Sequence, residues 1–314
     1  MTITRRRFIA ISAATAAVGM SGVYSAAASM QQWQGVALGA HAQIRLAGLD
    51  ASRAQTLLTE VRKEISRLED LFSLYRPQSA LCRLNADGHL TSPSPDFLAL
   101  ASQISAAHAI SKGMFDPTVQ PLWQAYAEAG GKPDMDALAD ARARAGWRRV
   151  AVDADRISLP KGGALTLNGI AQGFVTDRIA AYLRSEGLSE ALVEVGEISA
   201  IGAPAGTEGW PVHIGSTDGP EMRLRDRAIA TSAPSGTVFS ADGESHLIDP
   251  VSGKPAASDW LRTSVVHDSA AMADALSTAA ALMTPDTVER MIAAADDVAF
   301  IGHHARLGEV RFDA

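Results

Sequence analysis

The sequence predicts a mixed α+β fold in which a substantial sheet is flanked by helices. Apolar residues recur at helical spacing in several segments, and these segments alternate with short runs that have strand-like alternation. The chain of 314 residues is 47% hydrophobic and 20% charged, as expected of a globular protein with a sizeable core. No internal repeat and no long linker interrupts it, so residues 29–314 are predicted to form one domain.

The individual elements follow from capping residues, turns and periodicity. Residues 34–46 alternate like one strand, and Asp50 or Ser52 can cap a helix whose apolar positions run to Phe72. Five more helices are predicted at 96–110, 134–145, 170–185, 272–283 and 285–294. Further strands are predicted at 150–153 and 156–159, which form a hairpin, and at 165–167, 191–195, 198–202, 212–215, 227–231, 245–248, 263–266 and 298–301.

The N-terminus has the pattern of a targeting segment. Arg5 and Arg6 lie in a stretch that resembles the twin-arginine signal, an apolar run over 8–23 follows, and Ala26–Ala28 offers a cleavage site. We therefore expect residues 1–28 to be a signal peptide and the mature protein to be periplasmic. A membrane anchor is the alternative, but the run is short for a span and rich in Ala, Ser and Gly.

Charge and cysteine content exclude several classes of partner and site. Removal of residues 1–28, which hold three arginines and no acidic residue, changes the formal charge from −7 to −10. No basic block follows, so binding to nucleic acid or anionic lipid is not expected, and the mature chain is predicted to have no stable membrane span. Cys82 is the only cysteine, which excludes an intrachain disulfide and a Cys-based metal site. Its apolar neighbours predict a buried structural thiol.

Two segments that lie far apart in the sequence could carry chemistry. Residues 168–177 follow an apolar run and open a helix through a glycine-rich turn, which suits an anion such as a pyrophosphate. A tight turn without a ligand is the alternative. Asp274 and Thr278 are four residues apart on a predicted helix, so a carboxylate and a hydroxyl share one face and could hold Mg²⁺. A helix cap or an internal hydrogen bond is the alternative for this pair.

Seven blocks in one order give the chain a family resemblance. It resembles the ApbE-type flavin transferases, which move FMN from FAD onto a protein threonine. The blocks lie at 72–85, 113–119, 168–177, 193–198, 230–232, 245–253 and 273–278. Two of these blocks, Asn-Gly-Ile-Ala-Gln-Gly from Asn168 and Val-Gly-Glu-Ile from Val195, are similar in sequence to those of the NosX-like branch, which is associated with nitrous oxide reductase maturation.

The resemblance implies a compact α+β fold and a set of site residues. In similar proteins the residues that match Asp274 and Thr278 bind Mg²⁺, and the position of Gly169 supplies a backbone carbonyl. The histidine that matches His246 is proposed to help deprotonate the acceptor threonine, as a neutral imidazole can; a histidine that only orders its turn is the alternative. Positions lining the FAD site match Leu38, Tyr75, Phe115, Asp116, Pro117, Thr166, Gln172 and Ile248. For Phe115 and Ile248, an ordinary place in the core is the alternative.

Three departures from the usual family pattern bear on the strength of FAD binding. Thr166 stands where many relatives have an acid, and Gln172 stands where many have Lys or Glu. Glutamine keeps hydrogen bonding but loses the charge. Leu-Gly-Ala from Leu38 also replaces the usual Met-Gly-Thr. These changes leave the expected reaction class as it is.

The activity implied is that of a Mg²⁺-dependent FAD:protein FMN transferase. FMN is attached through a phosphoester to a threonine of an exported acceptor flavoprotein domain, NosR-like if the branch resemblance holds, and AMP is released. An FAD pyrophosphatase that uses water in place of threonine is one alternative. A non-catalytic flavin-binding accessory protein is another, supported by the loss of charge at Thr166 and Gln172. Retention of Asp274, Thr278 and His246 opposes it.

Overall fold

The computed structural model describes residues 30–215, 219–239 and 243–314, and it has the predicted α+β architecture. The predicted signal peptide, with Arg5, Arg6 and the site at Ala26–Ala28, lies outside the described residues. Within the described part of the chain, no helix has the length and apolar character needed to cross a membrane.

The described part of the chain contains thirteen strands, eight α-helices and two short 3-10 helices at Pro117–Val119 and Trp147–Arg149. The strands are β1 (Gln31–Ala37), β2 (Ala40–Leu46), β3 (His89–Thr91), β4 (Ala151–Val152), β5 (Arg156–Ser158), β6 (Ala191–Val195), β7 (Glu197–Ile201), β8 (Trp210–His213), β9 (Glu221–Leu224), β10 (Ala228–Ser232), β11 (Trp260–His267), β12 (Ala299–His304) and β13 (Gly308–Asp313). The helices are α1 (Ala51–Phe72), α2 (Ala80–Asp87), α3 (Pro95–Ile110), α4 (Gln120–Glu128), α5 (Met135–Arg144), α6 (Ala171–Ser185), α7 (Ala270–Ala280) and α8 (Pro285–Ile292).

An eight-stranded antiparallel sheet lies at the centre, in the order β1-β2-β6-β7-β10-β11-β12-β13. One face packs against α1, α3, α6 and α7 and forms the main core. The β8–β9 hairpin covers the other face through Trp210, Val212 and Leu224. A separate small sheet has the order β3-β5-β4. The sheet is therefore buried on both faces near its middle, where α7 lies on it.

Helix α7 is enclosed along its whole length. Six of its eleven residues are alanine, and every residue except Thr278 is buried. Small side chains allow α6 and the sheet to approach this helix closely, because little volume separates the backbones. Two polar residues of α7, Asp274 and Ser277, are thereby held in the interior of the molecule.

Two local predictions from the sequence are confirmed. Asp50 caps α1, since its Oδ1 accepts the N–H of Arg53 at 2.9 Å. Strands β4 and β5 form the hairpin predicted around 153–156. Both depend on contacts between near neighbours, which sequence patterns record well.

The single strand predicted at 34–46 is wrong, because a two-residue turn divides it into β1 and β2. Leu38 and Gly39 form this turn with φ values of 48° and 82°, the left-handed backbone that tight hairpins use. Leucine is uncommon there, so the sequence offers only Gly39 as a turn signal. The N–H of Leu38 donates to Glu69 Oε1 at 2.8 Å, which helps to hold the turn.

The strand predicted at 165–167 is also wrong, because this extended segment joins no sheet. The N–H of Leu165 donates to Asn85 Oδ1 at 2.8 Å, and its carbonyl accepts from Asn85 Nδ2 at 2.9 Å. The N–H of Thr166 donates to the Pro117 carbonyl at 2.8 Å. The Asn85 side chain and the Pro117 carbonyl thus bind the backbone N–H and C=O groups that a neighbouring strand would bind in a sheet.

The strand predicted at 245–248 is replaced by two isolated bridges, from Val238 to Ser245 and from Ile248 to Pro255. Five elements had no prediction, namely α2, α4, β3, β9 and β13. All are short, so their periodicity covers too few residues to stand out.

Candidate active site

Helices α6 and α7 lie side by side in opposite directions, and the two segments with predicted chemistry meet along them. Gly169, in the turn before α6, lies against Thr278: a Cβ on Gly169 would stand 2.9 Å from Thr278 Oγ1. One turn further along, the N–H of Gly173 donates to Asp274 Oδ2 at 3.4 Å. The lack of side chains at both glycines lets the backbone approach these oxygen-bearing groups.

A third contact joins Asp177 to the start of α7. Its carboxylate accepts hydrogen bonds from Ser269 Oγ at 2.6 Å, Ala270 N at 2.7 Å and Ala271 N at 3.0 Å. Such N–H groups have no partner within their own helix. Burial raises the pKa of Asp177, and the three hydrogen bonds offset part of the rise. We call the pairs Gly169–Thr278, Gly173–Asp274 and Asp177–Ala270 the α6–α7 ladder, since at each step the residue number rises by four on the α6 side and falls by four on α7.

The presence of glycine at position 173 has a steric explanation, in addition to the hydrogen bond that its N–H donates to Asp274. A Cβ at this position would stand 2.6 Å from the backbone nitrogen of Ala271, which cannot move aside as a flexible side chain can. The two helix backbones therefore touch at this point, and glycine is the residue that permits it.

The ladder contains the carboxylate of Asp274, which interacts electrostatically with a second carboxylate, that of Glu197. Asp274 is 4% exposed, and burial raises its pKa to about 8, with the hydrogen bond from Gly173 offsetting part of the rise. Burial and the charge of Asp274 raise the pKa of Glu197, at the start of β7, well above its usual range. Its Oε2 accepts the N–H of Thr231 at 3.3 Å. Among the described residues, neither carboxylate forms an ion pair with Lys or Arg.

The donor set around the ladder fits the predicted magnesium ion. Asp274, Thr278 and the Gly169 backbone offer hard oxygen atoms, which Mg²⁺ prefers. A divalent cation would also offset the cost of burying a carboxylate without a counter-charge. No group of three or more His, Cys, Asp or Glu able to hold a metal occurs in the described residues, so the shell would be completed by substrate phosphate and water.

Hydroxyl groups connect Thr278 to the end of β10. Ser232 Oγ lies 2.9 Å from Ser277 Oγ and 3.3 Å from Thr278 Oγ1. Thr263 Oγ1 on β11 donates to the Ser277 carbonyl at 2.9 Å. The side chains of α7 that face the sheet are thus oriented by β10 and β11.

His246 is held as a neutral imidazole with one nitrogen engaged. Its Nδ1 lies 3.0 Å from the Thr237 carbonyl, which can only accept, so Nδ1 carries the proton and Nε2 keeps its lone pair. Burial lowers the pKa of His246, and the bond to Thr237 offsets part of that effect. The segment is fixed by Ser245, whose Oγ donates to the Pro234 carbonyl at 2.7 Å, two residues beyond Ser232. A neutral imidazole with a free lone pair is the form that a general base requires.

Two predicted FAD-site residues flank the turn at Gly169. The Tyr75 phenol forms a hydrogen bond with the side chain of Asn168, and partial burial raises the pKa of this phenol. Phe115 is buried, and its Cε2 would lie 3.5 Å from a Cβ on Gly169. Tyr75 is 48% exposed, so part of this residue is accessible to a ligand.

Three further predicted FAD-site residues, Asp116, Pro117 and Thr166, form hydrogen bonds with other parts of the chain. Asp116 Oδ1 accepts the N–H of Thr118 at 2.9 Å, and Oδ2 accepts the N–H of Trp147 at 3.0 Å. Pro117 holds Thr166 through its carbonyl. Both carboxylate oxygens of Asp116 therefore bind the chain itself, and a contact from Asp116 to FAD stays a prediction.

The remaining predicted positions lie at three different places. Leu38 is tied through Glu69, which also pairs with Arg76, to the loop that carries Tyr75. Gln172 packs on Gly196, where a Cβ would stand 2.6 Å from Gln172 Cδ. Ile248 belongs to a separate apolar cluster with Leu122, Tyr126, Ala141 and Phe239, which agrees with the alternative of an ordinary core residue.

Sequence reasoning named no role for Asp177, Glu197, Ser232 or Asn85, all of which contact site elements. Each lies inside one of the seven blocks. The spacing of four residues from Gly169 to Gly173 to Asp177 was the available signal. Its meaning depended on α7, whose position relative to α6 the sequence does not state.

The comparisons with known proteins extend over most of the chain. A family model described as ApbE family matches residues 38–301. The FAD:protein FMN transferase of Treponema pallidum is 31% identical over 259 residues, covering 73% of this chain and 72% of that protein. The FAD:protein FMN transferase of Vibrio cholerae is 29% identical over 252 residues, covering 73% and 74%.

Solved structures agree with the fold. The flavin transferase ApbE from Vibrio cholerae has a TM-score of 0.73 and 27% identity, and the match covers 91% of this chain and 98% of that one. The flavinyl transferase ApbE of Pseudomonas stutzeri, in its apo form, has a TM-score of 0.76 and 25% identity, covering 92% and 95%.

Proposed function

The chain belongs to the ApbE family, and from that membership we propose that it is an FAD:protein FMN transferase with a threonine acceptor and AMP as second product. Relatives that carry this name support the activity. The observation that carries the proposal is the α6–α7 ladder, because Gly169 lies against Thr278 and the N–H of Gly173 binds Asp274. Segments that are remote in the sequence thereby share one site.

FAD is proposed to lie over the turn that opens α6. The positive end of this helix favours a pyrophosphate. Tyr75, which flanks the turn and is 48% exposed, offers an aromatic ring to the flavin or the adenine. Thr166 and Gln172 offer hydrogen bonds without charge, so the affinity for FAD is expected to depend on the metal and on this ring.

Asp274, Thr278 and the Gly169 backbone are proposed to hold Mg²⁺. When bound, the ion would neutralise charge on the pyrophosphate and stabilise the AMP leaving group. The chain itself must keep the Asp274 carboxylate and the Thr278 hydroxyl oriented toward the same ion. The hydrogen bonds from Gly173 and Ser232 to these groups support that task.

His246 is proposed to take the proton of the acceptor threonine at Nε2. The threonine oxygen forms a bond to the phosphorus of the FMN moiety, and the bond from that phosphorus to the bridging oxygen breaks. AMP leaves with the bridging oxygen and the electron pair. The bond from Nδ1 to Thr237 and the lowered pKa support this role, since both keep Nε2 unprotonated near neutral pH.

The reaction is proposed to take place in the periplasm after twin-arginine export. Arg5, Arg6 and the Ala26–Ala28 site support export of a folded protein. The two blocks with NosX-like wording support an exported, NosR-like flavoprotein domain as acceptor, in the service of nitrous oxide reduction. No nucleic acid is expected to bind.

One mixture tests the function: residues 29–314, FAD, Mg²⁺ and a candidate acceptor domain, followed by in-gel flavin fluorescence and measurement of AMP. Fluorescence on the acceptor, absent when its threonine is replaced by alanine, would confirm transfer. AMP without labelled acceptor would instead identify an FAD pyrophosphatase, in which water donates its proton to His246. Bound FAD without either product would indicate a flavin-binding accessory protein.

A further inference from the structure

We propose that Asp177 is a positioning residue, whose carboxylate fixes the register of α7 against α6 so that Asp274 and Thr278 face Gly169. The inference rests on the proposed function only for the identity of the ion. Asp177 does not itself reach the metal-binding end of the ladder. It lies two helical turns away, about 12 Å along α6 from the position of Gly169.

The contacts of Asp177 define both the position of α7 along its axis and its rotation about that axis. Oδ1 accepts the N–H of Ala270, while Oδ2 accepts Ser269 Oγ and the N–H of Ala271. Three donors on consecutive residues surround one planar group, so a carboxylate of fixed orientation permits a single arrangement of the helix start. One hydrogen bond would set only a distance.

The ladder converts that arrangement into the geometry of the site. Its three pairs recur every four residues on both segments. Because a helix is rigid, a shift or rotation of α7 at Ala270 would displace Asp274 and Thr278 by the same amount. A rotation of α7 by one residue is about 100°, which would turn Asp274 away from the N–H of Gly173. The 3.4 Å contact between Gly173 N and Asp274 Oδ2 is the observed consequence of the correct register.

Helix α7 needs such an anchor because its own surface is smooth. Six of its eleven residues are alanine. Helices normally fix their register by packing ridges of larger side chains into grooves, and an alanine-rich helix offers shallow ridges. A polar contact at the helix start supplies the specificity that packing lacks.

A neighbouring acid provides a matched control. Asp268 also lies at the start of α7, but its side chain is 69% exposed and pairs with Arg227 at 3.0 Å rather than with α6. Asp268→Asn therefore removes the same charge from the same helix end without touching the ladder. Any effect of the helix dipole alone should appear in both variants.

The test is a titration of the mature protein with Mg²⁺ alone, without FAD or acceptor, followed by calorimetry. Asp177→Asn should bind Mg²⁺ about 10-fold to 100-fold more weakly, the range found when supporting partners of metal ligands are changed. Ser269→Ala, which loses one of the three donors, should give a smaller loss in the same direction and serves if Asp177→Asn does not fold. Asp268→Asn should bind as the wild type does. Equal affinities for Asp177→Asn and Asp268→Asn would overturn the proposal.

Two further readouts separate positioning from general instability and from the proposed function. The half-saturating Mg²⁺ concentration for turnover should rise in Asp177→Asn while kcat at saturating Mg²⁺ stays near the wild-type value. A variant that is only less stable would show a lower Tm with an unchanged Mg²⁺ requirement, which contradicts the proposal. A wild type that binds Mg²⁺ but transfers no FMN would reject the proposed function and leave the titration result standing. A wild type that binds no Mg²⁺ would reject both.

Discussion

The N–H of Gly173 donates to Asp274 Oδ2 at 3.4 Å, although 101 residues separate the two in the chain. The same glycine allows the backbone of α6 to touch that of α7, since a Cβ would stand 2.6 Å from Ala271 N. One residue therefore provides both the space for the helix contact and a donor for a buried carboxylate. The block at 168–177 and the block at 273–278 are therefore in direct contact through α6 and α7.

Replacing Gly173 by alanine should separate the two helices and weaken the site. The added Cβ meets backbone rather than a flexible side chain, so overpacking should cost about 1–3 kcal/mol in the free energy of unfolding. The Asp274 contact should lengthen as the backbones part, and Mg²⁺ should bind more weakly. Ala181→Ser, which adds one atom to an exposed position of α6, is the control. A wild-type Tm and Mg²⁺ affinity for Gly173→Ala would contradict the prediction.

Asp274→Ala should abolish FMN transfer more completely than Thr278→Ala. A carboxylate contributes charge and a strong bond to the cation, whereas a water molecule can replace a hydroxyl. Thr278→Ser keeps the hydroxyl and should retain most of the activity. The measurement is in-gel flavin fluorescence of the acceptor, with EDTA stopping the reaction and Mg²⁺ restoring it. Full transfer in the presence of EDTA would remove the proposed role of the metal.

Local signals predicted the elements that carry the site but not how they meet. The cap at Asp50 and the hairpin of β4 and β5 involve residues close in sequence, and both are found. The turn at Leu38 was missed because leucine rarely has positive φ. The segment at 165–167 looked like a strand, yet its partner is the side chain of Asn85, eighty residues earlier.

The site shows the same division between local and distant information. The four-residue spacing of Asp274 and Thr278 placed both on one helix face, as observed for their contacts with Gly173 and Gly169. Asp177 had no predicted role, because its three donors lie 92 to 94 residues away. Periodicity describes one element at a time, so it carries no information on which residue caps a neighbouring helix.

The affinity for Mg²⁺ should increase with pH, and the metal-free protein should show the opposite trend in stability. Burial raises the pKa of Asp274 from 3.8 to about 8, so between these values the folded chain holds a proton that the unfolded chain has lost. The free energy of unfolding contributed by this group therefore falls as pH rises through that window. Binding of Mg²⁺ needs the carboxylate and displaces the proton, which favours binding at higher pH.

The two trends can be measured together as Tm against pH, in EDTA and in Mg²⁺. The gain in Tm on adding Mg²⁺ should grow from the acidic to the alkaline end of the window. Asp274→Asn cannot titrate and should lose this growth. A gain that is constant with pH in the wild type would show that Asp274 holds no proton for the metal to displace.

Export should depend on Arg5 and Arg6. Changing both to lysine keeps the charge but removes the guanidinium pair of the twin-arginine signal, so the precursor should accumulate in the cytoplasm. Arg7→Lys is the control with the same chemical change one position later. Cell fractionation and immunoblotting give the measurement. Normal periplasmic accumulation of the double variant would exclude a twin-arginine route.

His246→Ala should bind FAD and Mg²⁺ but transfer FMN slowly. Loss of a general base typically costs about a hundredfold to ten-thousandfold in rate. Burial lowers the pKa of His246 from its ordinary value of 6.5, so the wild-type rate should fall on the acidic side with a midpoint below 6.5. This acid limb should be missing from the residual activity of the variant.

A histidine that only orders its loop predicts a different result. Its loss would weaken FAD binding or lower the Tm, with little change in the single-turnover rate at saturating FAD. His213→Ala is the matched control, because this exposed histidine also has Nδ1 near a carbonyl, that of Gly219 at 3.2 Å. Fluorescence titration of FAD and single-turnover transfer on the same preparations distinguish the two roles. An undiminished rate at saturating FAD would rule out His246 as the base, because the proton of the threonine would then leave by another path.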